Sequence, residues 1–112
     1  MRTLFAIPLC VAVAACSGVP YQPSEAPKFS DPAVSGIVRI VFTESKLPGT
    51  GLISQIKPAH PISRGDWVLC MKSNDPAQTR RYALYFIGNK LVHWQLAAQV
   101  DACEDESYSP IT

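Results

Sequence analysis

Two runs of mixed apolar and polar residues, Arg81 to Ile87 and Lys90 to Leu96, flank Gly88-Asn89. Gly at the first turn position and Asn at the second predict a type II′ hairpin with a two-residue loop. That register pairs Ile87 with Lys90, Tyr85 with Val92, Ala83 with Trp94 and Arg81 with Leu96. One face then carries Ala83, Tyr85, Ile87, Val92, Trp94 and Leu96 as a core. The other carries Tyr82, Leu84, Phe86, Leu91, His93 and Gln95. A one-sided antiparallel sheet does not need so many apolar groups on its second face. The chain after Leu96 is available to cover them. Left uncovered, Leu84, Phe86, Leu91 and His93 form the expected interaction surface.

Upstream, Gly36 to Thr43 is β-branched and aromatic and reads as a strand. Ile37, Arg39, Val41 and Thr43 would share one face, and Val38, Ile40 and Phe42 the other. Pro48-Gly49-Thr50-Gly51 is turn chemistry. Leu52 to Ile56 is a short apolar piece of undecided type, and Pro58 and Pro61 set His60 in a loop. Arg64-Gly65-Asp66 matches an adhesion tripeptide in letters and reads as a turn into a second strand, Trp67 to Lys72. Residues 17–33 hold four prolines, which forbid helix and central strand. They read as a semi-extended tether, reaching roughly 50 Å at about 3.1 Å per residue. The expected fold is α+β or mainly β, with a three- to four-stranded antiparallel sheet ending in the hairpin.

The N-terminus differs from everything after it. One charge, Arg2, precedes an apolar run ending in small residues, the plan of an export signal. A spanning helix needs about 20 apolar residues, and Pro20 and Pro23 interrupt the chain first. The run closes on Val13-Ala14-Ala15-Cys16, which resembles the lipobox of bacterial lipoproteins. The resemblance implies cleavage before Cys16, acylation of its thiol, and a membrane anchor. An ordinary signal peptide cut after Ala14 or Ala15 is the alternative. In that family an Asp after the acylated Cys favours the inner membrane; Ser17 here implies the periplasmic face of the outer membrane. The expected organisation is a signal over 1–15, a lipidated Cys and tether over 16–33, and one small globular domain over 34–112. Trp67 to Cys70, the hairpin, and Cys103 through Tyr108-Ser109-Pro110 resemble small uncharacterised lipoproteins of alphaproteobacteria, a group with no activity to transfer. Size and plan are also similar to accessory outer-membrane lipoproteins of assembly and secretion machines.

Once Cys10 leaves with the signal and Cys16 carries lipid, Cys70 and Cys103 remain. An even pair in an oxidising compartment predicts a Cys70–Cys103 disulfide. Two cysteines without a nearby His do not complete a zinc site, and their spacing is unlike a Cys-x-x-Cys redox motif.

Without Arg2 the remaining chain holds nine Lys/Arg and nine Asp/Glu. A neutral chain is not an electrostatic binder of nucleic acid. Chemistry is sparse. His60 and His93 are the only histidines, and no nucleophile–base–acid set follows from spacing. Asp101, Glu104, Asp105 and Glu106 lack the spacing of a calcium loop and read as a solvated cluster facing Lys72, Arg80 and Arg81. The expectation is a non-enzymatic envelope lipoprotein without cofactor or metal, bound to the membrane through lipid and to a protein partner. The alternative is a periplasmic module for a small ligand or cell-wall fragment, with Trp67, Trp94 and Tyr85 as a stacking platform.

Overall fold

The computed structural model describes residues 21–111. Its fold is α+β: one helix packed on a small antiparallel sheet. Helix α1 spans Pro32–Glu44. The strands are β1 (Gly51–Ile53), β2 (Lys57–Pro58), β3 (Trp67–Ser73), β4 (Arg81–Ile87), β5 (Lys90–Leu96) and β6 (Ser109–Pro110). Sheet order is β5-β4-β3-β1-β6, and β2 pairs with the start of β3. Among the described residues no helix is long and apolar enough to cross a membrane.

The segment expected as a strand, Gly36 to Thr43, lies inside α1. Two signals override its β-branched composition. Asp31 caps the helix by accepting from the Ala33 N–H at 2.9 Å, and Pro32 opens it. Val34, Val38 and Val41 also recur at helical spacing and are buried, while Ile40 is exposed. Each β-branched residue costs at most about 0.7 kcal/mol in a helix. Burying one valine contributes about 1.5–3 kcal/mol, so packing decides.

The hairpin forms around Gly88-Asn89, with positive φ at Gly88 and not at Asn89, as a type II′ turn requires. Its register departs from expectation one step in. Phe86 faces Leu91, but Tyr85 then faces His93, leaving Val92 as a bulge. Beyond the bulge Leu84 pairs with Trp94, Ala83 with Gln95, and Tyr82 with Leu96. A one-residue slip exchanges the faces. Trp94 therefore lies with Leu84 and Tyr82, and His93 lies with Tyr85.

Strand β3 is buried on both sides. Toward α1, Leu69 and Met71 join Tyr82, Leu84, Phe86 and the three valines in the main core. Away from it, Val68, Cys70, Ala83 and Tyr85 pack with Cys103, under Ala59, Ala97 and Tyr108. The chain after Leu96 thus covers the Ala83 and Tyr85 face, and the face carrying Tyr82, Leu84 and Phe86, which it was expected to cover, is covered by α1 instead.

Residues 21–31, expected as part of a tether, lie along the domain as a strap, and Pro32 and Ala33 already belong to α1. The Ser24 N–H donates to Asp66 Oδ2 at 2.8 Å, and Trp67 Nε1 donates to the Ser24 carbonyl at 2.9 Å. The Gly88 N–H donates to Ser24 Oγ at 2.8 Å, and the Tyr21 hydroxyl donates to Asp66. The Tyr21 hydroxyl, then the N–H and hydroxyl of Ser24, hold the Asp66 carboxyl below its usual value. Farther along, Pro27 is buried, Phe29 packs on the core, and Asn89 Nδ2 donates to Asp31 Oδ2. Pro23 and Pro27 keep the strap out of helix, and an extended strap needs no N–H there, whereas Pro32 sits in the first turn of α1, where its missing N–H is no loss.

Candidate functional site

Among the sequence-predicted site residues, the structure joins Cys70 and Cys103. Their sulfurs form a disulfide with Cα atoms 5.6 Å apart, closing a sequence separation of 33. Cys70 sits in the middle of β3, and Cys103 is held by two short 3₁₀ turns, Gln99–Asp101 and Cys103–Asp105. The disulfide ties the covering coil to the strand it covers. Cys16 and the lipobox lie outside the described residues.

The expected interaction surface does not exist as one face. Leu84 and Phe86 are each 0 % exposed, beneath α1, and Leu91 packs beside them. The bulge at Val92 turns His93 to the opposite side. The aromatic platform fails for the same reason. Trp94 meets Tyr82 edge to face at 5.5 Å on the helix side. Trp67 gives its indole N–H to the strap. Tyr85 points the other way, into the coil.

What the coil side assembles instead is a polar chain. The Tyr85 hydroxyl donates to Asp101 Oδ2 at 2.8 Å, and the Ala98 N–H donates to the same oxygen at 2.9 Å. Asp101 is 1 % exposed, so it is not part of a solvated cluster. Gln95 Nε2 approaches the Tyr85 hydroxyl at 3.4 Å, and His93 Nε2 meets Gln95 Oε1 at 2.9 Å. The His93 ring stacks on Tyr85 at 6.0 Å. Ile62, Arg64 and Val100 complete a shallow hollow over these groups. The imidazole is joined to an amide, not a carboxylate, so no acid orients it as a base. Burial, then the hydrogen bond to Asp101 and its charge, push the Tyr85 phenol up to about 12. It is therefore a fixed donor at neutral pH, clamping the coil to β4.

That clamp has a pH signature. A folded-state value above the ordinary phenol value of 10.0 means that deprotonation opposes folding. The Tyr85 contribution is complete below about pH 10 and is lost as pH rises toward about 12. Thermal unfolding followed across this window should show the melting temperature falling. Tyr85→Phe should be less stable at neutral pH and flatter above pH 10. An identical alkaline slope in both proteins would place the titration elsewhere.

Other expected contacts are redistributed. Glu106 pairs with Lys57 at 3.0 Å, and Lys72 Nζ lies 4.5 Å from the centre of the Tyr108 ring. Among the described residues, Arg80 and Arg81 form no ion pair with the acidic cluster. The Arg64-Gly65-Asp66 tripeptide is the turn into β3. Its glycine is required by close approach: a Cβ on Gly65 would fall 2.9 Å from the Phe86 carbonyl oxygen.

A second surface feature was not foreseen. Tyr21 and Ile87 line a hollow of about 440 Å³ with Pro23, Pro58, His60 and Pro61, at the end where the strap begins. Beside it Ile62 is 77 % exposed, Tyr21 is 76 % exposed, and Ile87 is 45 % exposed. In the sequence these residues come from three separate stretches; the bonds from the Ala59 N–H to the Asp66 carbonyl and from the Asp66 N–H to the Phe86 carbonyl bring the loop to the end of β4, and the docked strap adds Tyr21 and Pro23.

No protein-family model, curated protein or solved structure matches the chain.

Proposed function

We propose that the chain is an exported bacterial lipoprotein, anchored through Cys16 at the periplasmic face of the outer membrane. It acts without catalysis, by presenting a small rigid domain for protein–protein contacts in the envelope. The observation that carries this reading is the Cys70–Cys103 disulfide, which belongs to an oxidising compartment. The apolar run ending in Val13-Ala14-Ala15-Cys16 supplies the matching export and lipidation signal. The ligand-module reading is not favoured, because Trp67, Trp94 and Tyr85 do not share a face.

Contacts with an envelope protein then fall to the exposed surface rather than to Leu84 and Phe86. The test is expression of the wild type and Cys16→Ser in a bacterium with a lipoprotein pathway, followed by membrane fractionation and intact mass. Wild type should carry an acylated Cys16, sediment with outer membranes and crosslink to an envelope protein. Cys16→Ser should lose both lipid and sedimentation. An unmodified chain in the cytoplasm with free thiols at Cys70 and Cys103 would overturn the reading.

A further inference from the structure

We propose that the rim formed by Tyr21, Ile62 and Ile87 rests on the lipid surface itself. The inference depends on the anchor at Cys16 and adds the face by which the domain meets the membrane.

The first argument is the length of the leash. The strap is docked from Tyr21 onward, through the hydrogen bonds of Tyr21 and Ser24 to Asp66, Trp67 and Gly88. Only residues 17–20 separate Tyr21 from Cys16. Five extended steps of at most about 3.6 Å span no more than about 18 Å. The headgroup layer occupies about 5–8 Å of that, being half the difference between the whole bilayer and its hydrocarbon core. A domain held this close cannot turn its strap end away from the membrane.

The second argument is what that end displays. Tyr21, Ile62 and Ile87 are large, apolar and exposed. Pro23 and Pro61 line the hollow between them. Tyrosine suits the membrane–water boundary, with its ring in the apolar zone and its hydroxyl satisfied. Here the hydroxyl is already given to Asp66, whose charge thereby has a partner. Arg64, on the same hollow, is exposed and offers a cation to lipid phosphate. The opposite end of β3 and β4, at Pro76 and Ala77, is an exposed turn whose residues 74–80 are small or polar. Over a strand of this length it lies about 20 Å farther out.

The experiment uses the full lipidated protein in phosphatidylethanolamine–phosphatidylglycerol vesicles. Nitroxide labels are placed at Ile62→Cys or, as a control, Ala77→Cys, and intact mass reports the lipid on Cys16. At position 62, collisions with a water-soluble nickel chelate should fall severalfold relative to soluble Cys16→Ser protein, while collisions with oxygen rise. At position 77 neither should change. Equal nickel exposure at both positions, with the lipid mass present, overturns the rim and leaves the anchor intact. Dipolar broadening between labels at 62 would seat a second copy there and overturn the lipid assignment. A chain without lipid mass removes the anchor and the proposal together.

Discussion

Leu84→Asp should abolish cooperative folding of the domain. Leu84 is completely buried between α1 and the middle of the sheet, in contact with the core that includes Val38, Leu69 and Phe86. Truncation to Ala alone should cost about 2–5 kcal/mol, from lost transfer energy and the cavity left behind. A carboxylate there has no cation to meet, and burying an unpaired charge costs far more than burying a hydroxyl or amide. A domain of this size has roughly 5–14 kcal/mol in total. Urea titration followed by circular dichroism should show a lowered midpoint for Leu84→Ala and no transition for Leu84→Asp. His93→Ala, on the half-buried opposite face, should stay within about 1 kcal/mol of wild type. A folded Leu84→Asp protein would mean that α1 does not cover this face.

The second large effect is removal of the disulfide. A loop closed over 33 residues contributes about 3–4 kcal/mol in the chain-entropy treatment. Cys70→Ala/Cys103→Ala should lose that much, and reduction of the wild type should reproduce the loss. The damage should also be local. Cys103 holds the coil that covers Val68, Ala83 and Tyr85, so amides of residues 97–108 should exchange faster than those of α1. Unchanged exchange there would mean that the Tyr85–Asp101 clamp suffices without the covalent link.

What could be read from the chain follows contact range. The hairpin was legible because Gly88-Asn89 specifies its turn locally. The cysteine pair was legible because counting left two residues. Its location within β3 and the terminal coil adds a reason to the count: it pins a cover that has little regular structure. Helix α1 was misread because β-branched residues dominated the reading, although Asp31-Pro32 and the valine spacing pointed to helix. The bulge had no decisive signal. Leu91-Val92-His93-Trp94 contains one residue too many for strict alternation, and the sequence does not say which is extruded. Packing chooses Val92, because Trp94 then reaches Tyr82 and the helix side. The Tyr85–Asp101 clamp and the strap were illegible for a common reason. Their partners lie 16 and 42 or more residues away, and nothing local marks Ser24 as a hub.

The span of those strap contacts governs the order of events when the protein is made or moved. Ser24 meets Asp66 across 42 residues and Gly88 across 64. Strand β1 pairs with β3 first, and its other edge waits for β6 at Ser109–Pro110. Long loops must close before such contacts form, which makes them late. A chain emerging N-terminus first therefore leads with a segment that has no native partner until most of the remainder has followed. During that interval residues 21–24 lack their native partners and are open to any enzyme that works on them. Once Gly88 arrives, the strap docks and the interval ends.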